Sequence, residues 1–167
     1  MKRRSLLKLV LYTGTVCLFI ATGIFAGTEV KDVIRLENKA YKKHKRAITV
    51  FSHRKHQEEY VKKYPEFYKS PCGECHHDKD NKPLVNLKEG DEVQNCIECH
   101  KKPAFITGKK AKKLSKEQKR ENHGNALHDN CKGCHKKYNK KFKLKSKSKG
   151  YAPNTCATCH PKKKKKK

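Results

Sequence analysis

The sequence predicts a mainly irregular and α-helical chain with a small β-hairpin, its core supplied by something other than its own side chains. Three observations lead there. Only 34% of the 167 residues are apolar, against roughly 45–50% in an average soluble domain. Lys and Arg number 43 against 16 Asp and Glu, a formal charge of +27. Eight of the nine cysteines fall into four pairs of identical spacing. The length suits one ordinary domain or two very small ones. The apolar residues are also unevenly spread: 16 lie in residues 1–27, and the remaining 140 residues are about 29% apolar, cysteines included. Burial at roughly 25 cal/mol per Å² does not offset the ordering entropy of so polar a chain. Residues 28–167 are therefore either largely disordered or packed around a bound group.

The elements follow in chain order. Lys2, Arg3 and Arg4 form a basic head, and Leu9 to Gly27 carries no charge over 19 positions. That is a secretory signal or a single N-terminal membrane anchor, with any anchoring running through residues 6–27. Arg3-Arg4-Ser5-Leu6-Leu7-Lys8 resembles a twin-arginine export signal, and Cys17 reads as apolar filler. Either way the rest of the chain leaves the cytoplasm. Residues 28–46 are polar, a linker or first helix. Ile48 to Phe51 is β-branched and aromatic, a short strand. Tyr60, Val61, Tyr64 and Phe67 have helical spacing, interrupted by Pro65. Asp78 to Gly90 is a polar loop. Ser115 with Gln118 makes a capping box, predicting a helix from about 116 to the third cysteine pair, broken near Gly124.

Each cysteine pair is followed by histidine: Cys72-Gly-Glu-Cys75-His76, Cys96-Ile-Glu-Cys99-His100, Cys131-Lys-Gly-Cys134-His135 and Cys156-Ala-Thr-Cys159-His160. C-x-x-C-H is the attachment signal for c-type haem. Two thiols add to the two vinyl groups, and the next residue sits under the iron as proximal ligand. Structural disulfides, all-cysteine zinc sites and redox dithiols also use C-x-x-C. None of them needs a histidine after every pair. Four copies, using every cysteine after Cys17, predict four covalent haems.

A six-coordinate haem needs a second ligand. Met is often used, but the only methionine is Met1. Six histidines lie outside the motifs: His44, His53, His56, His77, His123 and His128. Four bis-histidine haems use eight of ten, leaving two spare. If the strand continues, His53 and His56 point to opposite faces and serve two different haems. His76 and His77 have Cα atoms about 3.8 Å apart, so ligation by both forces two haems close together.

Val50-Phe51-Ser52-His53-Arg54-Lys55-His56, then Cys72-Gly73-Glu74-Cys75-His76-His77, resembles the start of the tetrahaem cytochromes c3, the class III cytochromes c. Leu127-His128-Asp129 resembles that family's next ligand segment. The likeness covers roughly residues 46–160. It implies a fold with haems at its core, and ligand pairs His53 with His76 (haem 1), His77 with His100 (haem 2), His56 with His135 (haem 3) and His128 with His160 (haem 4). Many members have C-x-x-x-x-C-H at haems 2 and 4, whereas all four motifs here are C-x-x-C-H. The stretch from His128 to Cys131 is also shorter than usual, so His123 stays open as the alternative ligand of haem 4. The expected organisation is a leader or anchor over 1–27, a linker over 28–46, a tetrahaem domain over 47–161 and a lysine tail over 162–167.

The resemblance also implies a periplasmic, low-potential electron carrier in anaerobic respiration. It is not an enzyme, because all-histidine ligation leaves no open iron position. Its partners would be a hydrogenase, a membrane redox complex or another multihaem cytochrome. Lys136 to Lys149 contains eight lysines and Lys162 to Lys167 six more. The bland reading is a solvated face and tail; the functional one is steering of an acidic redox partner, with an anionic membrane surface as the rival target. Nucleic acid is not an expected partner of an exported haem protein. Loss of residues 1–27 removes four basic residues and no acidic one, leaving +23. Four oxidised haems lower that to about +19, since each adds two propionates and one ferric charge. The rival functions are a membrane-anchored tetrahaem quinol dehydrogenase, a multihaem sensor or reductase subunit and, from another class, a basic zinc-binding module.

Overall fold

The computed structural model describes residues 30–161. The leader or anchor read at residues 1–27 and the lysine tail at 162–167 lie outside the described residues. Within the segment 28–46, read above as a linker or first helix, Val33–Arg35 forms strand β1. It pairs antiparallel with β2 (Val50–Ser52) in the register Val33↔Ser52, Ile34↔Phe51, Arg35↔Val50. Strand alternation turns Ile34 and Phe51 to the same, inner side, while Val33 and Val50 stay more than half exposed. A bond from Leu36 N–H to the Thr49 carbonyl (2.9 Å) extends the pairing by one step.

The extended form ends at Ser52. Lys55–Tyr60 is a π-helical turn, followed by α1 (Val61–Lys63) and a 3₁₀ turn, Pro65–Phe67. The helix stops at Tyr64 because the residue before a proline is driven out of the α region. His53 and His56 are therefore separated by a wide helical turn, not by strand alternation. The consequence is the same, since the two imidazoles meet different partners.

The remaining helices are α2 (Cys96–Cys99), α3 (Gly108–Lys112), α4 (Lys116–Arg120), α5 (His123–Lys141) and α6 (Cys156–Cys159). The capping box predicted before α4 is present: Gln118 N–H donates to Ser115 Oγ (3.2 Å), and Ser115 N–H donates to Gln118 Oε1 (2.8 Å). The predicted break falls earlier than Gly124. α4 ends at Arg120, and α5 runs without interruption through Gly124 and the third motif. Gly124 sits in the first turn of α5, where N–H groups have no intrahelical acceptor. Its N–H goes instead to the Ala104 carbonyl (3.0 Å). It is a point of close approach, not a breaker: a Cβ here would lie 2.7 Å from that carbonyl oxygen and 2.9 Å from Phe105 Cβ.

Among the described residues no apolar side chain is buried. The buried side chains are polar: Asn122, His123 and Asn139. Asn139 exchanges two hydrogen bonds with the backbone of Ala152 (2.8 and 2.9 Å), tying α5 to the segment before α6. One side-chain cluster is aromatic and partly exposed. Tyr64 meets Tyr138 edge-on (centroids 5.0 Å), and Phe142 packs on both Tyr138 (4.8 Å) and Tyr64 (5.6 Å). The Tyr138 hydroxyl donates to the Tyr64 hydroxyl (3.1 Å), and Lys141 reaches Glu66 (2.6 Å). This satellite staples the end of α5 to the 60–67 turns without closing a core. No helix among the described residues is long and apolar enough to cross a membrane.

Candidate functional site

Each cysteine motif is one helical turn. His76, His100 and His160 N–H groups each donate to the carbonyl of the first cysteine of their motif (2.9 Å in all three), and the third motif lies inside α5. Residues at i, i+3 and i+4 then share one helix face, so both thiols and the imidazole project together. Local sequence builds two of these turns. Asn95 caps α2 through Ile97 N–H, and Thr155 forms a capping box with Thr158 on α6. Asn130 Nδ2 donates to the Cys75 carbonyl (3.1 Å), fastening the first motif to the third. Thr49 Oγ1 donates to the Cys159 carbonyl (2.9 Å), fastening the fourth to the hairpin.

The eight predicted histidines meet in four pairs. Ring centres are 6.3 Å apart for His53 and His76, 5.9 Å for His77 and His100, 6.1 Å for His56 and His135, and 6.1 Å for His128 and His160. An imidazole–metal bond is about 2 Å long and a ring centre lies about 1 Å behind its nitrogen, so one ion between two imidazoles sets their centres about 6 Å apart. The spacing fits axial ligation from both sides of a single iron. It does not fit a four-donor zinc site, which needs its donors around one point; among the described residues no three of His, Cys, Asp and Glu converge in that way.

The imidazoles are also oriented for ligation. Six of them contact backbone carbonyls through Nδ1 at 2.5–2.9 Å: His56 with Ser52, His77 with Asp78, His100 with Arg120, His128 with Gly124, His135 with Pro153 and His160 with Ala47. A carbonyl only accepts, so Nδ1 carries the proton and Nε2 keeps its lone pair for a metal. Thr49 Oγ1 adds a second contact to His160 Nδ1 (3.2 Å). His53 Nδ1 is buried with no hydrogen-bond partner. Burial pushes the pKa of His56, His76 and His128 below the ordinary imidazole value. That favours the neutral, ligating form.

The thiols behave differently. Desolvation first, and neighbouring cysteines after it, push Cys75 up to about 12 and Cys131 up to about 11. Cys72, Cys96, Cys134 and Cys159 are also raised, chiefly by desolvation. Redox dithiols depend on a lowered thiol pKa, so this pattern opposes a dithiol function. No two of the eight motif cysteines are joined by a disulfide.

The pairs are linked through the chain in one order. Neighbours His76 and His77 join the first pair to the His77–His100 pair. His53 and His56, one turn apart, join the first pair to the His56–His135 pair. His128 and His135, two turns apart on one face of α5 and thus about 10 Å along the axis, join that pair to His128–His160. The two histidines outside the pairs meet on one tyrosine. The His44 ring stacks on Tyr41 (5.4 Å), and the Tyr41 hydroxyl lies 3.0 Å from His123 Nδ1.

Sequence reasoning paired no aromatic ring with a histidine. Phe51 and Tyr60 flank His56 (4.7 and 5.1 Å), and Phe105 stacks flat on His128 (4.1 Å, 15° between planes). Phe51 and Tyr60 stand within five residues of His56, a spacing that marks them in hindsight. Phe105 lies 23 positions from His128 in an irregular segment, and nothing in the sequence signals the contact. The sequence model of the Class III cytochrome C family matches residues 30–160. No curated protein and no solved structure matches the chain.

Proposed function

The chain belongs to the class III cytochrome c family, a family of multihaem electron carriers, and from that premise we propose that it is a periplasmic carrier with four bis-histidine c-type haems. The observation that carries the reading is the four histidine pairs, each next to a C-x-x-C turn. In this reading Cys72 and Cys75, Cys96 and Cys99, Cys131 and Cys134, and Cys156 and Cys159 hold the haems by thioether bonds. His53 with His76, His77 with His100, His56 with His135 and His128 with His160 hold the irons. Bound there, haem supplies a one-electron Fe(III)/Fe(II) couple at low potential. The chain's part is to fix two ligands per iron, leave no open position for a substrate, and space the centres along one polypeptide path.

Pyridine haemochrome analysis tests the count directly: four haems per chain are expected, and stoichiometric zinc without haem would support the rival module instead. The ring planes make a finer prediction. They cross at 64° for His53–His76 and His77–His100, but at only 31° and 32° for His56–His135 and His128–His160. The g-anisotropy of a low-spin ferric haem depends on the angle between its axial rings. The electron paramagnetic resonance spectrum of the oxidised protein is therefore expected to show two classes of low-spin signal in equal amounts. A single class, or a high-spin component, would contradict the ligand geometry.

The lysines of residues 136–149 begin immediately after His135. They support docking of an acidic redox partner, such as a hydrogenase, a membrane redox complex or another multihaem cytochrome, near the last two centres. The electron-transfer rate with such a partner is expected to fall steeply between low and physiological ionic strength, because the Debye length shrinks to about 8 Å. A flat salt profile in stopped-flow measurements would remove the steering role.

A further inference from the structure

We propose that Phe105 is a positioning residue that fixes the plane of the His128 imidazole; the inference rests on the bis-histidine reading above. Its ring lies 4.1 Å from that of His128, with 15° between the planes. Other aromatic contacts of the paired histidines are oblique: Phe51 meets His53 at 84° and His56 at 48°, and Tyr60 meets His56 at 80°. The orientation of Phe105 is not explained by burial, because 49% of the residue remains exposed. An aromatic ring left half in water gains less from the hydrophobic effect than a buried one, so the flat stack is what its position secures.

The backbone holds Phe105 in place from both sides. His123 N–H donates to the Lys102 carbonyl (2.9 Å) and Gly124 N–H to the Ala104 carbonyl (3.0 Å). Asn125 then clamps the next residue: Ile106 N–H donates to Asn125 Oδ1 (2.8 Å), and Asn125 Nδ2 donates to the Ile106 carbonyl (3.0 Å). Residues 102–106 are thus laced along the start of α5, and Phe105 reaches His128 one turn further on. The approach is close enough to require glycine at 124.

Two restraints then act on one imidazole. The Nδ1–H bond to the Gly124 carbonyl (2.5 Å) fixes a direction in the ring plane but leaves the ring free to tilt about that line. The flat contact with Phe105 removes the tilt. Together they define a plane, and with it the 32° angle to His160. Aromatic stacking of this kind favours one ring orientation several-fold over its alternatives.

The test uses the full-length holoprotein and the variants Phe105→Leu, Phe105→Tyr and Gly124→Ala. Leu keeps apolar volume without a flat face; Tyr keeps the face. Phe105→Leu is expected to shift or broaden the largest g-value of half of the class with ring planes at 31–32°, that is, of one haem in four. Phe105→Tyr should keep the wild-type spectrum, and Gly124→Ala should move the same signal as Phe105→Leu. An unchanged low-spin spectrum in Phe105→Leu would overturn the inference, as would a Tyr variant that behaves like Leu. Complete loss of that one low-spin signal would also overturn it, pointing to a role in retaining the ligand. If the wild-type protein itself lacks four low-spin haems, the proposed function fails; if it has them and Phe105→Leu matches it, only the positioning role fails.

Discussion

Prepared without haem, the protein is expected to be unfolded. Replacing the eight motif cysteines by serine, or expressing the chain where haem is not attached, should abolish the cooperative thermal transition of the holoprotein. Methyl dispersion in its proton NMR spectrum should disappear as well. The expected loss is the whole folding free energy, about 5–15 kcal/mol for a domain. The reason is that among the described residues no apolar side chain is buried. The hairpin has two strands of three residues, and an isolated two-stranded hairpin is marginal in water. The aromatic staple of Tyr64, Phe67, Tyr138 and Phe142 joins only two segments, and Phe142 is 41% exposed. The four histidine pairs face one another across about 6 Å. That spacing of ring centres is the one a single metal ion between two imidazoles sets, so in the proposed reading the haems tie these segments together. An apoprotein that melts cooperatively would show that side chains alone suffice, and would refute the account.

The same deficit decides what could be read in advance. Cysteine spacing is local, and each C-x-x-C-H run here takes a helical turn, so the motifs and the Ser115 capping box were legible from sequence. Pairing of distant histidines was not legible from spacing; the likeness to a family implied it, and the structure brings the same side chains together. Secondary structure was harder. Val33 and Ile34 are β-branched but form too short a run between Asp32 and Arg35 to signal a strand clearly, and the segment becomes one because Val50–Ser52 offers it an edge. His53 and His56 were expected on an extended segment and lie instead at a π-helical turn. Gly124 carries the weak helix propensity of any glycine, and its actual role, close approach to residues 104 and 105, depends on a chain crossing that composition does not encode. What the sequence hid is tertiary: Phe105 on His128, Tyr41 between His44 and His123, and Asn139 on Ala152.

The His123 alternative gives the second large effect. His128→Ala is expected to convert one haem in four from low to high spin, removing about a quarter of the low-spin intensity, and added imidazole should restore it. His123→Ala should leave all four haems low-spin. The two residues differ in what they face. The His128 ring has its Nδ1 on the Gly124 carbonyl, which leaves Nε2 free, and its centre is 6.1 Å from His160. The His123 Nδ1 lies against the Tyr41 hydroxyl (3.0 Å), and the residue is only 7% exposed. The ring that meets His123 is that of Tyr41 (centres 5.7 Å), and in the proposed reading His128 and His160 already take both sides of haem 4. Removing His123 takes away that hydrogen bond, so the cost expected there is in stability, about 1 kcal/mol for a neutral pair, read as a lowered melting temperature with an unchanged spectrum. The opposite outcome, a high-spin haem in His123→Ala and none in His128→Ala, would exchange the two assignments and place His128 outside the ligand set.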